Sequence, residues 1–174
     1  MTKPKLYTCL FLVLLLEVAF LNYQHFFPDQ PLNKTIDRIA NYGPGVFFSL
    51  FILFTQYKKW SVLRMMVTLS VLFFYYLAAF LASFLTWGFA IPVVGGLGGL
   101  LIKRVIFYND SLLDVRGRKY LLAGFIAGLL GLILFYLPDV IKIIPKGKGT
   151  IEPIIVLWQL TIGWLVIKDL TETK

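Results

Sequence analysis

Thr86-Trp87-Gly88-Phe89-Ala90-Ile91-Pro92-Val93-Val94-Gly95-Gly96-Leu97-Gly98-Gly99-Leu100-Leu101-Ile102 is the stretch on which the topology of this chain turns. It is apolar, and its length lies at the short end of the roughly 17–25 residues that a membrane-crossing helix uses. It also holds Pro92 and five glycines. Either it crosses the bilayer fully, or it dips in and returns.

Outward from this stretch, five further apolar runs have spanning length. They cover about Leu6–Tyr23, Ile39–Tyr57, Val62–Ser83, Tyr120–Leu137 and Glu152–Ile167. The basic residues decide between the two topologies. With six crossings and a cytoplasmic N-terminus, 12 Lys and Arg lie inside and 5 outside. If Thr86–Ile102 only dips in, everything after it inverts and the split becomes 8 inside and 9 outside. Cytoplasmic loops carry an excess of Lys and Arg, so the charge pattern favours six crossings with both termini cytoplasmic. Lys142, Lys146 and Lys148 still fall on the disfavoured side.

Composition agrees with a membrane. Hydrophobic residues make up 59% of the 174 and charged residues 15%. Soluble domains have roughly 45–50% and about 25%, and a small soluble fold could not hide that much apolar side chain. The expected fold is all-α: a single transmembrane helical domain over residues 1–174, built as a compact bundle of six helices. The basic start and the apolar run from Leu6 resemble a signal peptide in outline. No small-x-small cleavage site follows Phe20, so the run reads as a retained first span. Trp60, Trp87, Tyr23, Tyr57 and Tyr120 fall at the expected span ends, where aromatic rings suit head-group depth.

Net charge is +8. The cations cluster between apolar runs, so they read as topology signals and lipid head-group contacts, and nucleic acid is not an expected partner. Cys9 is the lone cysteine and His25 the lone histidine. That excludes an intramolecular disulfide, a cysteine cluster and a site built on several imidazoles. No metal or other cofactor is expected. Catalytic residues are not expected either: no serine has a Gly-x-Ser-x-Gly setting, and no two carboxylates fall in two spans at matching depth.

Glu17 is the most informative residue. It lies about 16 Å along the first span at 1.5 Å per residue. Its helical neighbours Val13, Leu14, Phe20 and Leu21 offer no partner. A carboxyl group at that depth must be paired, hydrated or protonated, and an ionisable group there is a functional candidate. Gln159 in the sixth span sits at similar depth. In the third span Arg64, Thr68 and Tyr75 follow helical spacing, and Ala78, Ala79 and Ala82 continue that face. Glu17, Thr68, Tyr75 and Gln159 are the expected lining of a narrow polar path. The alternative is that Glu17 only hydrogen-bonds another helix as structural glue.

Small residues are the second signal. Gly95-x-x-x-Gly99 and Gly124-x-x-x-Gly128 are spaced for close helix packing. Gly43-Pro44-Gly45 suggests a short turn before the second helix. The brief connection between the third and fourth spans predicts an antiparallel hairpin. The inner loop Val105–Lys119 carries Ser111-x-x-Asp114, a capping pattern, and then Arg116, Arg118 and Lys119. These three are candidates for contact with a cytosolic protein partner or with lipid head groups. The outer loop Gln24–Arg38 holds His25, Asp29 and an Asn33-Lys34-Thr35 acceptor pattern.

Two functions follow as expectations, and a third, an intramembrane enzyme acting on lipid, needs a catalytic pair that the sequence does not show. One is a small channel or transporter, homo-oligomeric because six short helices leave little room for a pore. The other is a non-conducting subunit, sensor or anchor of a membrane complex that recruits a cytosolic partner through the basic inner loop. The Lys-, Phe-, Ile- and Leu-rich composition points to a bacterial inner membrane. The run Leu16-Glu17-Val18-Ala19 resembles the glutamate-bearing first span of the small multidrug exporters over a few residues only. Those proteins are shorter, with fewer spans.

Overall fold

The computed structural model describes residues 3–21, 43–56, 61–86, 88–108, 110–141 and 152–172. Among the described residues the regular structure is entirely α-helical: α1 Lys3–Leu21, α2 Gly43–Gln56, α3 Val62–Leu85, α4 Ile91–Ile106, α5 Val115–Ile141 and α6 Glu152–Glu172. Val62–Ser83, Val115–Leu134 and Ile154–Glu172 are long and apolar enough to cross a membrane, and Val46–Gln56 is a shorter apolar helix. The outer loop Gln24–Arg38, with His25 and Asp29, lies outside the described residues, as do Lys142, Lys146 and Lys148.

Two of the helices outrun the apolar stretches that announce them. α5 starts at Val115 rather than near Tyr120, and α6 runs on to Glu172 rather than stopping near Ile167. Apolarity marks where lipid ends, whereas a helix continues until its backbone is capped. Gly43-Pro44-Gly45 forms the opening turn of α2 instead of a turn before it. Proline suits that position, because its missing N–H would have no partner in a first turn anyway. Pro92 does the same at the start of α4, so the chain from Ile91 to Ile106 is one continuous helix.

The chain divides into two compact units, Met1–Leu77 and Ala78–Lys174. In the first, α1 packs on α2. Leu6, Leu10, Leu14 and Glu17 are buried at helical spacing along α1, while Phe11, Leu12, Leu15 and Leu16 are exposed. On α2, Phe48, Ser49, Phe51, Ile52 and Gln56 are buried. α3 is mostly uncovered: Val62, Leu63, Met66, Val67, Phe73 and Phe74 are exposed, and Thr68 and Leu72 are buried.

The second unit is held by α5, which packs on α4 along one side and on α6 along another. The α4–α5 register is antiparallel. Ile91 and Pro92 lie against Gly128, Gly95 against Gly124, and Gly99 against Tyr120. Each four-residue step forward on α4 is matched by four residues back on α5, so one helical face of each meets the other without slippage. A Cβ on Gly95 would stand 2.5 Å from the Gly124 carbonyl oxygen, and one on Gly128 2.8 Å from that of Ile91. Backbones this close leave no room for side chains. Trp158 of α6 closes the seam by donating its Nε1–H to the Gly95 carbonyl oxygen at 2.8 Å.

α3 runs into α4 through a turn at Thr86–Ala90. Thr86 organises the turn. Its hydroxyl donates to Ala82 O at 2.8 Å and accepts from Ala90 N–H at 3.0 Å. Gly88 takes φ +89°, a conformation open to glycine. α4 then lays its glycine face on α5.

Candidate functional site

Both units hold buried polar groups among the described residues, and those at one end of the second are joined into a cluster. In the first unit Glu17 is fully buried, on the same stripe of α1 as Leu6, Leu10 and Leu14. The exposed face of α1 carries apolar side chains over that length except for Thr8, whose hydroxyl donates to Pro4 O at 3.1 Å. The carboxyl group is therefore turned towards protein and away from the outer surface. Thr68 is buried on α3, with Arg64 and Tyr75 half-buried on the same side of the helix. Gln159 is fully buried in the second unit, on α6.

The cluster lies at the end of the second unit where α4, α5 and α6 meet the α4–α5 loop. Lys103 is fully buried near the end of α4. Its ammonium donates to Ser111 O and pairs with Asp114 Oδ1 at 3.1 Å. Asp114 is the N-cap of α5, since its Oδ1 accepts the Gly117 N–H at 2.6 Å. That bond, together with Lys103 and Arg116, holds the Asp114 carboxyl below the usual carboxylate range against the opposing effect of burial. The cap stands one turn later than Ser111-x-x-Asp114 suggested. Ser111 contributes its carbonyl, while Leu112 and Leu113 occupy the intervening turn.

Arg116 is the hub of the cluster. Its Nη1 meets Asp110 Oδ2 at 2.7 Å and its Nε meets Asp169 Oδ2 of α6 at 3.3 Å. The guanidinium lies 4.3 Å from the Phe107 ring centroid. The buried Tyr120 hydroxyl sits beside the Asp169 carboxylate. Arg104 turns back to cap the loop, donating to Tyr108 O at 2.7 Å and Asp110 O at 3.1 Å. Three helix ends and the loop are thereby joined by charge-assisted hydrogen bonds, the stronger kind.

Of the three loop cations singled out in the sequence, Arg116 is committed to carboxylates of its own chain, whereas Arg118 and Lys119 are exposed. The residues that sequence reasoning missed are Lys103, Asp110, Asp114 and Asp169 as ion-pair partners, and Trp158 as a donor across helices. A signal was available: Lys103 and three aspartates all stand at the ends of apolar runs that a hairpin brings to one level. Among the described residues no three His, Cys, Asp or Glu side chains are placed to hold a metal ion. No family model, curated protein or solved structure matches this chain.

Proposed function

We propose that this protein is a small channel or transporter that crosses a bacterial inner membrane six times, with both termini in the cytoplasm, and works as a homo-oligomer. Glu17 is the group on which transport depends. The observation that carries the reading is the burial of this carboxyl group on the covered stripe of a helix whose other face is exposed and apolar. Holding an ionisable side chain in such a place costs stability unless it is used or fully satisfied.

Six crossings are supported by what lies beside α5. Gly88 sits near Leu132 and Tyr136, and Phe89 stacks on Tyr136 with centroids 6.5 Å apart. Lys103, at the other end of α4, pairs with Asp114, the residue before α5. The turn and α4 together thus accompany the apolar segment Val115–Leu134 over its whole length. A dip-and-return path would double back before reaching the far end. The balance of Lys and Arg favours the same answer.

The test is proton or cation flux in proteoliposomes. The wild type is expected to conduct, and Glu17→Gln to abolish or strongly reduce flux while eluting from a sizing column as the wild type does. Unchanged flux in the variant, or none in the wild type, overturns the reading. The docking alternative is less favoured, because Arg116 is spent inside its own chain.

A further inference from the structure

The α4–α5 loop shows two kinds of side chain to its surroundings. One is apolar: Leu112, Leu113 and Val115 are 45%, 56% and 74% exposed, and Tyr108 is exposed beside them. The other is cationic: Arg104, Arg118 and Lys119 are all exposed. The carboxylates of the region do not fully balance them. Asp114 is held by Lys103, Asp110 and Asp169 share the single charge of Arg116, and Glu172 pairs with Lys168 at 4.0 Å. The surplus carboxylate charge is smaller than that of the exposed cations, so the outward face is net positive.

We propose that this loop is an interfacial anchor for anionic phospholipid, with Leu112, Leu113 and Val115 entering the acyl boundary and Arg118 and Lys119 meeting lipid phosphates. Val115 is the first residue of the apolar segment Val115–Leu134, so the loop emerges where a span would meet the head groups. Exposed leucines beside exposed cations suit that layer, which is apolar on one side and negatively charged on the other. The Lys103–Asp114 pair and the Asp114 cap fix the turn that pushes Leu112 and Leu113 outward. Arg116, whose charge is matched internally, takes no part. The proposal is independent of transport and rests only on α5 crossing the membrane.

Spin-label accessibility in the full chain tests it. Cys9→Ser removes the native thiol, and Leu113→Cys or Ile126→Cys then supplies a single labelling position. Ile126 is exposed about 16 Å further along α5. The protein is reconstituted in vesicles of phosphatidylcholine, with or without phosphatidylglycerol as a minor component. Residue 126 should collide with oxygen more than with a water-soluble nickel chelate in both. Residue 113 should do so in the vesicles containing phosphatidylglycerol. A nickel-accessible 113 with a shielded 126 means a loop free for a protein partner and overturns the proposal alone. A nickel-accessible 126 overturns it together with the membrane topology. In a second arm, native mass spectrometry compares retained phosphatidylglycerol with phosphatidylcholine. Arg118→Gln and Lys119→Gln should each reduce the preference about fivefold, and an unchanged preference overturns the anionic selectivity.

Discussion

α3 and α5 are both long and apolar, and both contain a segment fit to cross a membrane. Their surroundings differ. α5 carries Gly117, Gly124, Gly128 and Gly131, and at the last three positions the added Cβ would meet a neighbouring helix. α3 has no glycine, and most of its large side chains are exposed. Apolarity thus selects which segments can enter the bilayer, and residue size selects which of them touch protein once inside. The physical reason is that lipid tails are as apolar as leucine, so helix association there needs close van der Waals contact rather than removal from water.

Gly95→Leu should break the contrast most severely. The Cβ would stand 2.5 Å from the Gly124 carbonyl oxygen, and backbone on both sides cannot rotate away. Overpacking typically costs about 1–3 kcal/mol and occasionally more. We expect the upper end of that range, read as a large fall in thermal unfolding temperature in nanodiscs, with the Trp158 bond to Gly95 O lost as well. Leu97→Ala, on the exposed side of α4, is the matched control and should change little. If the two variants behave alike, the glycine seam does not hold the second unit together.

The glycine pairs and the apolar segments were legible in the sequence because both are local and periodic. Gly95 and Gly99 share a face by spacing alone, and so do Gly124 and Gly128. The charge cluster was less legible, because its pairing depends on how the loop folds and, for Arg116 with Asp169, on α5 and α6 folding back on each other. Ser111-x-x-Asp114 signalled a cap correctly in kind and one turn early in place, since either residue could serve.

The cluster can be probed by pH, with a smaller effect expected than from the seam. The Asp114 carboxyl titrates lower in the folded chain than its ordinary value, chiefly through the Gly117 N–H bond and then Lys103. A depressed carboxylate adds stability that is present above the unfolded value and lost as pH falls through the folded one. Unfolding temperature should therefore drop as pH falls below about 4, and Asp114→Asn should flatten that part of the profile while lowering stability at neutral pH. A variant with an unchanged acid limb would assign the acid sensitivity to other carboxylates.

The smallest effect belongs to α3, and its smallness is the informative part. Val67 is exposed in the second turn of an apolar helix. If lipid covers it, Val67→Ala trades one apolar contact for another and relieves β-branching within the helix. The expected change is within about 0.5 kcal/mol, the usual scale for substitutions away from packed features, measured by the same unfolding experiment. Sizing of the variant particle should be unchanged. A loss approaching that of Gly95→Leu would mean that α3 is covered by protein after all. In a chain that works as several copies, the covering surface would be a second copy, and the same substitution would then shift the mass of the solubilised particle.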